Sequence, residues 1–131
     1  MKALINFISG SVLTGLAYIL GGWDVALQTL IIVMVLDYIT GICKAIYKKK
    51  VNSMIGAKGI VKKIGYLIIV AVAVELDIIT GNGGVIRTLV IYFFVANEGI
   101  SILENWGGMG LPLPKKLHEI LEQLRDENDP K

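Results

Sequence analysis

Uncharged runs, longer than a soluble helix needs for one buried face, alternate along this chain with short charged or glycine-rich breaks. The first run covers Ala3 to Trp23 and closes on Gly21-Gly22, with Trp23 suited to a membrane interface. Asp24 then stands as an N-cap before Val25-Ala26-Leu27. A second run reaches about Ile46, broken by Asp37 and ending in Lys44 and Lys48-Lys49-Lys50. Asn52 or Ser53 opens the next segment, whose first turn carries Gly56 and Gly59 and whose apolar part follows Lys62-Lys63. Thr80-Gly81-Asn82-Gly83-Gly84 is breaker chemistry, and a fourth run from Val85 carries Arg87 near its start and Asn97, Glu98 and Glu104 toward its end.

At ~1.5 Å per residue, about 20 residues of helix cross a ~30 Å hydrocarbon layer. The pattern therefore predicts an all-α integral membrane protein with four transmembrane helices, over about 3–20, 25–46, 60–79 and 85–103; three spans are the alternative. The short turn between the first two predicts an antiparallel hairpin. The third run is rich in β-branched residues, but its length exceeds an ordinary strand and favours a helix in lipid. Residues 1–106 form the transmembrane domain. Residues 107–131 form a hinge, Gly107 to Pro112, and a charged tail in which Leu113, Leu117, Ile120, Leu121 and Leu124 mark a narrow stripe on a short amphipathic helix.

Composition agrees: 54% of the 131 residues are hydrophobic and 18% charged, with a mean hydropathy of +0.66. Met1-Lys2 before an apolar run imitates a secretory leader, but the run is long enough to span and others follow, so it is read as a retained first span. The net charge is only +2, and the placement of the charges matters more than their sum. Four spans put Lys2, the Lys44 to Lys63 cluster and Lys115-Lys116 on one side and Asp24, Glu75, Asp77 and Arg87 near the other. The positive-inside rule then places both termini in the cytoplasm. The lysine cluster abuts two membrane helices, so lipid is its expected partner and no nucleic acid is expected.

Asp37 lies ~18 Å along its helix from the opening turn, where a carboxylate facing lipid costs a few kcal/mol. It must face another helix, water or a cation. Lys62 or Lys63, entering from the same side, are the expected partners, and Glu98 is a further buried-charge candidate. The bland reading is a packing ion pair or a protonated carboxyl; the functional one is pore lining or gating. Ser11 and Gly15, Ala17 and Gly21, and Gly41 and Ala45 stand four apart, a spacing that lets helices approach closely, within one chain or between copies. His118 is the sole histidine and Cys43 the sole cysteine, and no nucleophile elbow or phosphate loop occurs. Glu75, Asp77 and Arg87 read as an interfacial charge group. No catalysis, cofactor or metal is expected.

Leu36-Asp37-Tyr38-Ile39-Thr40-Gly41 before the lysine run, Ser53 to Lys63, Ala96-Asn97-Glu98-Gly99-Ile100-Ser101, and Gly108-Met109-Gly110-Leu111-Pro112 resemble, in order and spacing, the holin family shared by phage lysis cassettes and bacterial toxin-secretion loci. The resemblance covers most of the chain. It implies a homo-oligomer in the bacterial cytoplasmic membrane that accumulates harmlessly, then forms lesions through which an endolysin or a toxin passes. The rivals are a small four-helix, proton-coupled multidrug-type transporter, which would place its acid in the first span where this chain has none, and a structural membrane subunit.

Overall fold

The computed structural model describes residues 1–128, and of these every side chain except Leu121 and residues 124–128. Among them it is all-helical: α1 Lys2–Ile19, α2 Val25–Tyr47, α3 Ser53–Thr80, α4 Val85–Gly108 and α5 Lys115–Asn128. The side chains of the expected stripe positions Leu121 and Leu124, and the tail residues 129–131, lie outside the described set.

Local chemistry sets the helix ends. The Asp24 side chain accepts from the Leu27 N–H at 3.0 Å and Asn52 from Met54 at 2.9 Å, each capping the start of its helix. Gly81, at φ 68°, ends α3 in the left-handed conformation that an L side chain resists. Gly84 precedes α4 and has no side chain to cap it, so Asp77 caps it from α3: its two carboxylate oxygens accept from the N–H groups of Ile86 (2.9 Å) and Arg87 (2.8 Å). One boundary differs from the sequence reading. The break expected at Gly107 begins only at Met109, because α4 continues through both glycines, and the chain then turns with Gly110 at φ 74°.

α2, α3 and α4 form the bundle. Asp24 meets Arg87 and Asp37 meets Asn105, so α2 and α4 run parallel and pack directly on each other; α3 lies mainly against α4 and antiparallel to it, since Lys63 near its start meets Glu98 and Asp77 near its end meets the first turn of α4. The core is Leu30 and Met34 from α2, Val70 from α3, and Ile91 and Phe94 from α4, with Tyr66 stacked on Phe94 at 4.0 Å between ring centroids. The antiparallel hairpin expected of α1 and α2 is not a packed pair. Residues 2–16 of α1 are exposed throughout, and α1 is held chiefly at its carboxy-terminal end. The five-residue turn at 20–24 brings the two helix ends together without laying α1 along the bundle.

The distribution of residue types is inverted relative to a soluble protein. Lys63, Asp77, Arg87, Glu98 and Asn105 are buried, while Phe7, Leu13, Val35, Val61, Ile79, Leu89 and many other large apolar side chains face outward. In water such a surface would drive aggregation; in lipid it is the matched solvent. By length and apolarity α1, α2 and α4 qualify as membrane spans. α3 has 28 residues, but every 18-residue stretch of it carries at least three charged side chains.

Candidate functional site

The bundle's apolar core lies between two polar layers. Toward the carboxy-terminal half of α2, Lys63 Nζ donates to Asp37 Oδ2 at 2.7 Å and to Glu98 Oε2 at 2.6 Å, so one ammonium from α3 joins carboxylates from α2 and α4. Asn105 Nδ2 adds a clamp, donating to Asp37 Oδ1 at 3.1 Å, to the Asp37 carbonyl at 3.3 Å and to Thr40 Oγ1 at 3.0 Å. Glu98 is 0% exposed, and its Oε1 has no hydrogen-bond partner among the described residues. Each charged group would cost about 2.5–3.5 kcal/mol if turned to lipid at mid-helix. Facing one another, they replace that cost with charge-assisted hydrogen bonds.

At the opposite end, Arg87 on α4 gathers the turn between α1 and α2. Its Nε donates to the Leu20 carbonyl at 2.7 Å, Nη1 to Asp24 Oδ2 at 2.7 Å, and Nη2 to Asp24 Oδ1 and the Gly22 carbonyl, both at 3.1 Å. The guanidinium thus satisfies carbonyls left over at the end of α1 and pairs the N-cap of α2. Its hydrogen bonds hold the Asp24 carboxyl below the ordinary carboxylate range. Gly21 is what leaves room for it. At φ 88°, a Cβ there would fall 2.5 Å from Arg87 Nε.

Of the residues singled out in the sequence, Asp37, Lys63 and Glu98 come together. Lys62 does not join them; it is exposed, with its ammonium 5.6 Å from the centre of the Tyr66 ring. Gly41 faces Asn105, to which a Cβ would approach within 3.7 Å, and Ala45 is half-buried one turn on. Ser11 and Gly15 are exposed and nothing lies within 4 Å of a Cβ at Gly15; Ala17 is half-buried and Gly21 belongs to the turn, not to a helix contact. The interfacial charge group divides: Asp77 caps α4, Arg87 pairs with Asp24, and Glu75 is exposed. Asn105 was missed in the sequence because it stands beyond the span ending at 103. Its phase was the available signal, seven residues after Glu98 on the same helix face.

Comparison with known proteins bears on what this arrangement is for. The family model described as the bacteriophage holin family matches residues 14–126. The chain is 43% identical to a 14.9 kDa protein of the nagH 3′ region of Clostridium perfringens, over 97% of this chain and 99% of that one. It is 41% identical to the Listeria monocytogenes protein Lmo0128 over 79% of this chain and 74% of that one. A protein of Bacillus phage phi105 named as a probable holin is 32% identical, over 80% of this chain and 78% of its own length. No solved structure matches the chain.

Proposed function

The chain belongs to the bacteriophage holin family and is a multi-pass protein of the cytoplasmic membrane, and on that premise we propose that it assembles into homo-oligomers that open lesions for an endolysin or a toxin. The observation that carries this reading is where the free surface lies. The interior of one copy is filled by Leu30, Met34, Val70, Ile91 and Phe94, so a wide passage has to form between copies. α1 supplies a surface for that contact, since residues 2–16 touch little of their own bundle and Ser11 and Gly15 leave its backbone open to close approach. The protein is a permeabilising device and not an enzyme.

α3 acts as the fourth span. Lys63 and Asp77 place their charge inside the bundle, Glu75 sits five residues from the helix end, Lys58 stands in the first turns at the other end, and the Lys62 ammonium lies over the Tyr66 ring. Four spans place both termini in the cytoplasm. Asp37, Lys63 and Glu98 act as a charge lock, holding α2, α3 and α4 together until assembly exposes them to water.

The test is inducible expression in bacteria together with a cell-wall hydrolase that lacks an export signal. Lysis begins abruptly after a delay, and in the same cells, in a Cys43-free background, Asn82→Cys labels from outside before lysis whereas Asn128→Cys does not. Steady growth at full membrane accumulation would count against lesion formation; outside labelling of Asn128→Cys would count against four spans.

A further inference from the structure

A second feature lies on the basic side of the bundle, between the end of α2 and the start of α3. A half-open cleft of about 410 Å³ runs there, with the Asp37 and Lys63 pair at its floor. Its walls are mostly apolar or bare backbone, from Ile42 and Ala45 on α2 and Ile55, Gly56 and Gly59 on α3, with Asn52, Ser101 and Asn105 adding polar side chains. Tyr38 stands over the two glycines, its ring carbons within 4 Å of where a Cβ at Gly59 would lie and its hydroxyl 3.4 Å from one at Gly56. Larger residues there would narrow the space.

Lys44, Lys48 and Lys50 line the same cleft nearer its mouth. Among the described residues none of the three is in an ion pair. The backbone fixes their arrangement. The N–H of Lys50 closes onto the Ala45 carbonyl at 2.9 Å, and Lys49 takes φ 54°, a left-handed conformation usually left to glycine or asparagine. Lys48 and Lys50 thereby line the cleft while Lys49 does not. The Lys44 stem is anchored separately, its Cδ lying 2.7 Å from a Cβ built on Gly108 of α4.

We propose that this cleft is a binding site for one anionic phospholipid of the cytoplasmic leaflet, its phosphate met by Lys44, Lys48 and Lys50 and its glycerol and upper acyl chain by the wall of Ile42, Ile55 and the glycines. Charge complementarity and position select this occupant. Basic clefts between membrane helices on the cytoplasmic side meet a leaflet rich in anionic headgroups, with about 1 kcal/mol of attraction per lysine near the surface. The apolar walls favour a ligand with a hydrocarbon part over a free anion. The proposal rests on α2 and α3 lying in the membrane with their lysine-rich ends in the cytoplasm, and not on lesion formation.

The experiment uses the full chain purified in neutral detergent, with bound lipid counted by native mass spectrometry. Phosphatidylglycerol should be retained saturably, at about one per chain, whereas phosphatidylcholine with the same chains should not, and excess inorganic phosphate should fail to displace it. Lys48→Gln with Lys50→Gln should weaken retention about tenfold or more. Lys49→Gln with Lys58→Gln removes the same charge outside the cleft and should leave retention unchanged. Equal retention of phosphatidylcholine, displacement by inorganic phosphate, or equal losses in the two double variants would overturn the proposal. Circular dichroism and membrane fractionation of the same variants separate lost lipid recognition from lost folding or insertion, and neither readout depends on lysis.

Discussion

Lys63→Ala should reduce the folded, membrane-inserted protein to a small fraction of its normal level. The ammonium is the only cation between Asp37 and Glu98 among the described residues, bonded to both at 2.6–2.7 Å, and Glu98 is wholly enclosed. Removing one partner from a buried charge cluster costs about 3–5 kcal/mol, because the remaining charges keep their desolvation and lose their compensation. That is a large part of the stability a domain has to spare. The balanced variant Lys63→Met with Asp37→Asn and Glu98→Gln should recover most of the loss, since amides at both positions can still bond to each other and to Asn105. Thermal unfolding in detergent and the level recovered from membranes measure both effects. A Lys63→Ala protein with an unchanged midpoint and yield would show that the triad does not hold the bundle together. Recovery in the balanced variant together with altered lysis timing would point to the charge itself as the lock.

The second large effect is expected at the other polar layer. Arg87→Ala strips the partner from Asp24 and leaves the Leu20 and Gly22 carbonyls without their donor, all through one side chain that is 10% exposed. Charge-assisted hydrogen bonds contribute about 1.5–3 kcal/mol each when one partner is removed, discounted here because Asp24 is half-exposed. A net loss of about 2–4 kcal/mol is expected. Arg87→Lys should recover only part of it, because a single ammonium lacks the planar fork that reaches four acceptor oxygens on three residues. Gly21→Ala should reproduce much of the defect without touching a charge, since its Cβ would occupy the guanidinium's place. Since Arg87 joins α4 to the turn after α1, both variants should also raise protease cleavage at residues 20–24. Unaltered unfolding and cleavage in Arg87→Ala would refute the assignment.

The helices themselves were legible. Asp24 and Asn52 announce two helix starts by their cap chemistry, the glycines after Thr80 end α3, and the uncharged runs locate the spans. Lys62 and Lys63 could be named as the neighbours of Asp37 from topology, but choosing between them required helix phase. In a soluble helix an apolar stripe gives that phase; here apolar residues surround each helix of the bundle and hide it. The polar residues carry it instead. Lys63, Val70, Ala73 and Asp77 on α3, and Arg87, Ile91, Phe94, Glu98 and Asn105 on α4, recur at steps of three, four and seven and are the buried faces. Read by that rule, Asn105 and Asp77 would have been found as interior groups. The unpacked α1 was beyond such reasoning, because a short turn constrains where two helix ends meet and not whether their lengths touch.

The central claim, that copies of this chain assemble into a passage wide enough for a folded protein, is tested most directly with purified protein in vesicles of bacterial lipid loaded with both a small dye and an enzyme-sized fluorescent protein. The account predicts that both cargoes escape together once a threshold protein density is reached, with multimers captured by cross-linking at the same density. Release of the dye alone at every density, or of neither cargo from vesicles into which the protein has demonstrably inserted, would contradict it.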